Sequence, residues 1–145
     1  MKKTLLASAL VALSAFAANA QDTVRIATEG LYPPYNLIDD AGNLAGYEVD
    51  LGNEICKRAG LTCEFVQNDW DSMMPNLNSG NFDVIMAGMS ITEERKKDRL
   101  FSQNYMPPAV SYYVATSADA DIKAGIVAAQ TGTIQAGYVA ESGAQ

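Results

Sequence analysis

Short apolar runs alternate with longer amphipathic stretches along the middle of the chain, and this alternation limits the folds open to it. Runs of β-type residues occupy 23–27, 62–66 and 84–86. Helix-type spacing fills the segments between them, from Glu48 to Ala59 and from Trp70 to Leu77. Strands that alternate with helices of this size form parallel sheets, because each helix carries the chain back to the same end of the sheet. The sequence therefore predicts an α/β fold with a largely parallel sheet flanked by helices.

The stretch 82–99, around the third strand, is the first candidate for a binding site. The apolar run Val84–Met86 leads into small residues, and Ser90 and Glu93 follow with the spacing of a helix-start signal. Free N–H groups at such a turn, with Arg95 in the first helical turn, suit a carboxylate. The competing interpretation is an ordinary strand–loop–helix connection with a solvated basic helix.

The first 20 residues have the pattern of a secretory signal peptide. Lys2 and Lys3 precede an apolar run from Leu5 to Ala17, and Ala18-Asn19-Ala20 supplies small residues for cleavage. The apolar run is too short for a membrane span. We therefore expect a chain exported to the periplasm, with its mature part beginning at Gln21.

Composition excludes several classes of function. The formal net charge is −7, and it becomes −9 without the two leader lysines. Such acidity argues against nucleic acid as a partner, because phosphate binding needs a basic face. The chain contains no histidine, which excludes the usual Ser-His and Cys-His catalytic pairs and disfavours zinc and iron sites. We expect no metal, no cofactor and no catalytic residues.

The chain contains two cysteines, Cys56 and Cys63. An even number of cysteines in an exported chain favours a disulfide bond. Two buried free thiols are the alternative, and a metal site is disfavoured because no histidine accompanies the pair.

The last third of the chain has a looser pattern. We predict a short strand at 100–102, a strand at 110–115 and a buried strand at 126–129, followed by a helix through Tyr138 and Ala140. The turn before this helix, Thr131–Gln135, is a second candidate anion site. A new strand–turn–helix unit after a polar connector predicts a second domain, so we assign 21–115 to a first lobe and 116–145 to the beginning of a second.

Together these stretches resemble the periplasmic solute-binding proteins for polar amino acids that serve ABC importers, above all the lysine/arginine/ornithine-, histidine- and opine-binding members. The resemblance extends from about Thr23 to Tyr138. The stretches that carry it are Thr23–Glu29, Tyr32–Tyr35, Gly46–Leu51, Cys56–Arg58 with Cys63, Asp69–Asp71 and Met89–Arg95. The cysteine spacing also matches a disulfide of the basic amino-acid binders.

The resemblance implies a type II periplasmic-binding-protein fold, in which two α/β lobes joined by a two-strand hinge close on an amino acid. It further implies a monomer whose partner is an inner-membrane ABC permease. Family members are about twice as long as the mature part of this chain, so we expect a fragment whose second lobe has only begun and which binds its ligand weakly or not at all.

Three residues of the first candidate site are implied to hold the backbone groups of the ligand. Arg95 would grip the α-carboxylate, helped by the backbone N–H of Ser90. The carbonyl of Gly88 and the hydroxyl of Ser90 would accept hydrogen bonds from the α-ammonium.

The ligand side chain is implied to meet a second group of residues. Tyr32 and Trp70 would sandwich it, although both could instead be core aromatics. Glu29 would face its distal end, which favours a cationic ligand, with a turn-capping role as the alternative. Thr133 and Gln135 would complete the carboxylate and side-chain contacts.

Two other function classes use the same fold. Periplasmic cyclohexadienyl (arogenate/prephenate) dehydratases need acid–base groups in the cleft, and Glu29 is the one candidate that the sequence offers. An extracellular sensor or receptor-channel domain is disfavoured, because no later stretch is long and apolar enough to cross a membrane. The sequence favours a binding protein over both.

Overall fold

A computed structural model describes residues 23–107 and 110–144, so the predicted signal peptide lies outside the described residues. The elements follow one another in the order β1 (Val24–Thr28), β2 (Leu31–Tyr32), β3 (Asn36–Ile38), β4 (Leu44–Ala45), α1 (Tyr47–Ala59), β5 (Cys63–Gln67), α2 (Met73–Asn78), β6 (Val84–Ile85), α3 (Glu93–Lys96) and α4 (Ile134–Ser142). None of the helices among these residues is long and apolar enough to cross a bilayer.

The central sheet is parallel, as the alternating pattern predicts. β1 lies in the middle, with β5 on one side and β6 on the other. Successive β1 side chains point to opposite faces: Ile26 packs in the cluster that includes Cys56 of α1, and Ala27 packs with Met73 of α2. Helices therefore cover both faces of the sheet.

Helix α1 is attached to the sheet at two points. A Cβ built on Gly52 would lie 2.5 Å from the ring of Phe65, so glycine is what allows the helix to approach β5 this closely. A disulfide joins Cys56 to Cys63 with their Cα atoms 6.2 Å apart, which confirms the predicted bond over free thiols or a metal site. The helix ends at Ala59, and Gly60 follows it in the left-handed conformation (φ 68°).

The helix predicted around Trp70 begins as a 3-10 turn, Trp70–Ser72, and continues as α2. Pro75 lies in the first turn of α2, where its missing N–H has no intrahelical partner to lose. Asp69 occupies the position before the 3-10 turn but makes no side-chain cap bond. The Asn68 side chain instead donates to the carbonyl of Asp69 and to the hydroxyl of Ser72.

The structure also contains a small antiparallel sheet of β2, β3 and β4, which the sequence pattern did not predict. The side chain of Asp39 stabilises the turn between β3 and β4, because it accepts hydrogen bonds from the backbone N–H groups of Ala41 and Asn43. The strands are only two or three residues long, which is too short for an alternation pattern to appear.

The strands predicted at 100–102, 110–115 and 126–129 were wrong for the residues that the structure describes there. These residues belong to no sheet, and the supposedly buried Ile126 is 90% exposed. A strand needs a neighbour to pair its N–H and C=O groups, and these apolar runs have none among the described residues. The predicted helix through Tyr138 and Ala140 is confirmed as α4. The lobe boundary at 115/116 stays a prediction.

Candidate functional site

The loop between β6 and α3 forms the first part of the site. Its helix does not begin at Ser90, as predicted, but after Thr92, whose backbone is extended (φ −129°, ψ 153°). The hydroxyl of Thr92 accepts from the backbone N–H of Arg95 at 3.1 Å, so Thr92 is the cap. Because α3 has only four residues, its dipole is small. The candidate anion site therefore depends on the Arg95 side chain.

The guanidinium of Arg95 joins two loops that are distant in sequence. Its Nη1 donates to the carbonyl of Ser90 at 2.8 Å, and its Nη2 donates to the carbonyl of Gly132 at 3.0 Å. Its Cζ lies 5.8 Å from the centroid of the Trp70 ring. Burial lowers the pKa of Arg95 from its ordinary value.

The charge of Arg95 is not neutralised by the groups that hold it. Among the residues that the structure describes, Arg95 has no carboxylate within ion-pair distance. Carbonyl oxygens accept from two of its five N–H groups but carry no net charge. A half-buried guanidinium in this state suits a carboxylate, which presents two negatively charged oxygens to the planar fork.

The turn before α4 lies against Trp70 and Arg95. A Cβ built on Gly132 would lie 3.6 Å from the indole nitrogen of Trp70. The hydroxyl of Thr133 accepts from the N–H of Ala136 at 3.1 Å and donates to the carbonyl of Gln130 at 2.7 Å. The structure thus brings the predicted second half of the site to the first, with the Thr133 hydroxyl already used to cap α4.

Glu29 reaches the same turn from the other side. Its Oε1 accepts from Nε2 of Gln130 at 2.8 Å, and its backbone carbonyl accepts from Nε2 of Gln67 at 3.2 Å. Sequence reasoning missed Gln130, because a polar residue in a turn carries no signal of a contact with residue 29. Glu29 and Arg95 thus place opposite charges at two ends of the turn 130–133.

Tyr32 and Trp70 have different surroundings. Tyr32 is 40% exposed, its ring lies 5.0 Å from that of Tyr35, and a Cβ built on Gly88 would be 3.1 Å from it. Trp70 packs partly against the core cluster that includes Met73 and also faces Arg95. Tyr32 is therefore not a core residue, whereas Trp70 is partly one. Their sandwich around a ligand stays a prediction.

Gln135 lies away from this group. It belongs to the first turn of α4, and its Nε2 donates to the hydroxyl of Ser111 at 2.8 Å. In the described part of the chain its hydrogen bond is to Ser111 and not to the residues around Arg95.

Glu48 is a second residue near the site that was not predicted from the sequence. It is completely buried, and its carboxylate accepts from Nδ2 of Asn36 at 2.6 Å, from the N–H of Gly88 at 2.7 Å and from the hydroxyl of Tyr105. The position of Glu48 relative to the apolar residues of α1 could have predicted that it is buried. Glu48 precedes the buried Cys56 by two helical turns, so it lies on the buried stripe of α1, where a charge is unusual.

A family model described as bacterial extracellular solute-binding proteins, family 3, matches residues 24–137. The arginine-binding periplasmic protein of Mannheimia haemolytica is 36% identical over 141 residues, which are 97% of this chain and 57% of that protein. The chain spans about half the length of the curated relatives it matches.

Solved structures that are similar to this chain are also amino-acid-binding proteins. A periplasmic His/Glu/Gln/Arg/opine family-binding protein from Silicibacter pomeroyi, in complex with lysine, is 67% identical with a TM-score of 0.81, over 85% of this chain and 56% of that one. The arginine-bound form of domain 1 from TmArgBP, as a point mutant, is 39% identical with a TM-score of 0.55, over 58% of this chain and 65% of that one.

An ancestral cyclohexadienyl dehydratase is more distant, at 36% identity and a TM-score of 0.54 over 58% of this chain and 35% of that one. The stronger matches are binding proteins, and the likeness confirms the α/β fold predicted from the sequence. The chain belongs to family 3 of the bacterial extracellular solute-binding proteins.

Proposed function

We propose that this chain is an extracytoplasmic receptor that binds a cationic amino acid for an ABC importer. The observation that carries the proposal is the state of Arg95, a half-buried cation whose fork is held by two carbonyls without a neutralising carboxylate. The α-carboxylate of an amino acid supplies the missing charge and two acceptor oxygens.

The remaining residues define the rest of the ligand. The Gly88 carbonyl and the Ser90 hydroxyl accept from the α-ammonium, and the exposed ring of Tyr32 covers the aliphatic part of the ligand side chain together with Trp70. Glu29 binds the distal cation after Gln130 gives up its hydrogen bond to the carboxylate. Thr133 completes the carboxylate contacts from the turn 130–133, and Gln135 joins the side-chain contacts after its hydrogen bond to Ser111 is released.

The named relatives support this ligand class. The Silicibacter pomeroyi protein was solved with lysine, and the Mannheimia haemolytica relative is an arginine-binding protein. The arginine-bound domain 1 from TmArgBP supports binding by contacts from a single lobe.

We propose that residues 21–115 correspond to the first lobe and 116–145 to the beginning of the second. The proposed context is a periplasmic monomer that delivers its ligand to an inner-membrane permease.

Calorimetric titration with lysine, arginine, histidine, octopine and glutamine tests the proposal. The length of the chain predicted weak binding or none, but the arginine-bound single domain leads us to expect measurable binding of lysine and arginine, with the neutral glutamine weaker. Glu29→Gln should remove this preference, because it removes the negative charge facing the distal cation. Glu54→Gln is the matched control, since Glu54 pairs with Arg58 on the surface of α1. Equal or stronger binding of glutamine by the wild-type chain would refute the cationic ligand, and binding of none of the five would refute the receptor.

The dehydratase alternative predicts turnover instead. Incubation with prephenate and detection of phenylpyruvate by its ultraviolet absorbance would reveal it. Glu29 already has a hydrogen-bonding partner in Gln130, and no specific observation favours an acid–base role for it.

A further inference from the structure

A buried carboxylate ties together three segments behind the candidate site. Glu48, in the first turn of α1, is fully buried and accepts hydrogen bonds from Asn36, Gly88 and Tyr105. These three partners lie in the small antiparallel sheet, in the loop after β6 and in the segment after α3. The Glu48 side chain therefore connects three separate segments of the chain to the first turn of α1.

All three partners of Glu48 are donors. The amide of Asn36 cannot be reversed without loss, because its Oδ1 accepts from the backbone N–H of Gly30 at 2.8 Å. Burial and the hydrogen bond to Glu48 raise the pKa of Tyr105, which keeps its hydroxyl a donor. An ionised carboxylate is an acceptor only, so it matches this set. A glutamine of the same shape would point its NH₂ group at a donor.

The bond to Gly88 connects this network to the site. Gly88 has a left-handed backbone (φ +62°) and lies against the ring of Tyr32. It precedes Ser90 by two residues in a loop outside any helix or strand. The first turn of α1 thus holds the backbone N–H of Gly88 at the beginning of this loop.

We propose that Glu48 is a positioning residue for the amino-acid site, which holds the Gly88–Ser90 loop in its binding geometry without touching the ligand. The inference rests on the proposed function, because it assigns the loop to that ligand. A loop displaced by a fraction of an ångström loses aligned contacts, which is why such supporting residues matter.

The test compares Glu48→Gln with the surface control Glu54→Gln, which lies on the same helix. Two readouts are measured: lysine affinity by calorimetry, and the exchange rate of the Gly88 amide hydrogen by NMR. We expect Glu48→Gln to retain its helical circular dichroism, to lose protection of the Gly88 amide and to bind lysine about tenfold more weakly. Glu54→Gln should change neither readout.

A purely structural role predicts a different result, namely a lower unfolding temperature with unchanged lysine affinity and Gly88 protection in the folded protein. That result would refute the proposal. Glu48→Asp is the second variant, because it keeps the charge but shortens the reach; unchanged Gly88 protection and affinity in it would also be contrary evidence.

The wild-type chain provides a measurement that does not depend on any variant folding. Its Gly88 amide should exchange at least about a hundredfold more slowly than an open loop amide. Exchange at the open-loop rate would refute the proposal. If the wild-type chain fails to bind lysine but shows this protection, the proposed function fails while the positioning of Gly88 by Glu48 stands.

Discussion

Nη2 of Arg95 donates to the carbonyl of Gly132 at 3.0 Å, a bond between residues separated by 37 positions in the sequence. This bond uses one of the two N–H groups on Nη2, so the fork keeps further donors for a ligand carboxylate. A carboxylate oxygen is the stronger acceptor, because the bond is then assisted by charge on both sides. We therefore expect a ligand carboxylate to bind the N–H groups of Arg95 that the Ser90 and Gly132 carbonyls do not use.

Replacing Arg95 with lysine keeps the charge but removes the planar fork. We expect Arg95→Lys to bind lysine about 10- to 100-fold more weakly, the range that corresponds to loss of one charge-assisted hydrogen bond. Calorimetry provides the measurement, with Arg58→Lys as the control on the exposed face of α1. Wild-type affinity in Arg95→Lys would contradict the assignment of the carboxylate to this residue.

A side chain at Gly88 should disturb both the backbone and the site. Gly88→Ala places a Cβ in the left-handed conformation and 3.1 Å from the Tyr32 ring. We expect the free energy of unfolding to fall by about 1–2 kcal/mol, with weaker lysine binding. Urea denaturation and calorimetry measure the two effects.

Gly42→Ala is the matched control for this substitution. Gly42 also has a positive φ (+85°), but a Cβ built there meets nothing within 4 Å. Gly42→Ala should lower the free energy of unfolding through the strained backbone alone, and it should bind lysine with wild-type affinity. Equal losses of affinity in the two variants would mean that the effect of Gly88→Ala is not local to the site.

The disulfide between Cys56 and Cys63 should contribute to stability although it closes a short loop. The residues are seven positions apart, for which the chain-entropy relation gives about 2.5 kcal/mol. Reduction with dithiothreitol should lower the urea midpoint accordingly. The double variant Cys56→Ala/Cys63→Ala should be insensitive to the reductant. An unchanged midpoint on full reduction of the wild type would show that the bond does not stabilise the fold.

Arg25 and Asp83 form a contact whose strength should depend on pH. Nη2 of Arg25 lies 2.9 Å from Oδ1 of Asp83, and this hydrogen-bonded pairing lowers the pKa of Asp83. A lowered pKa in the folded state means that the stabilisation is present above the ordinary aspartate pKa of about 3.9 and is lost as pH falls through the lower folded value.

Asp83→Asn should therefore be less stable than the wild type at neutral pH, and the difference should shrink as the pH falls below about 4. Urea midpoints at several pH values measure this, with the exposed Asp40→Asn as the control. A difference that stays constant down to about pH 2 would mean that the Asp83 charge is not what stabilises the contact.

Local sequence determined much of this protein. The spacing of apolar residues predicted β1, α1, β5, β6 and the parallel sheet, because a helix or strand face is set by residues a few positions apart. The disulfide between Cys56 and Cys63 was predicted because an exported chain contains an even number of cysteines. Arg95 and Glu29 were named through resemblance and local context, and both were found at the turn 130–133.

The tertiary structure decided the features that need partners far along the chain. It moved the start of α3 from Ser90 to Thr92, left 126–129 without a strand, and buried Glu48 among donors from three segments. A pairing strand or a buried charge is stable only when another part of the chain supplies its hydrogen bonds. Periodicity describes neighbours in sequence and carries no record of such partners, so the support beneath the site became visible only in the folded chain.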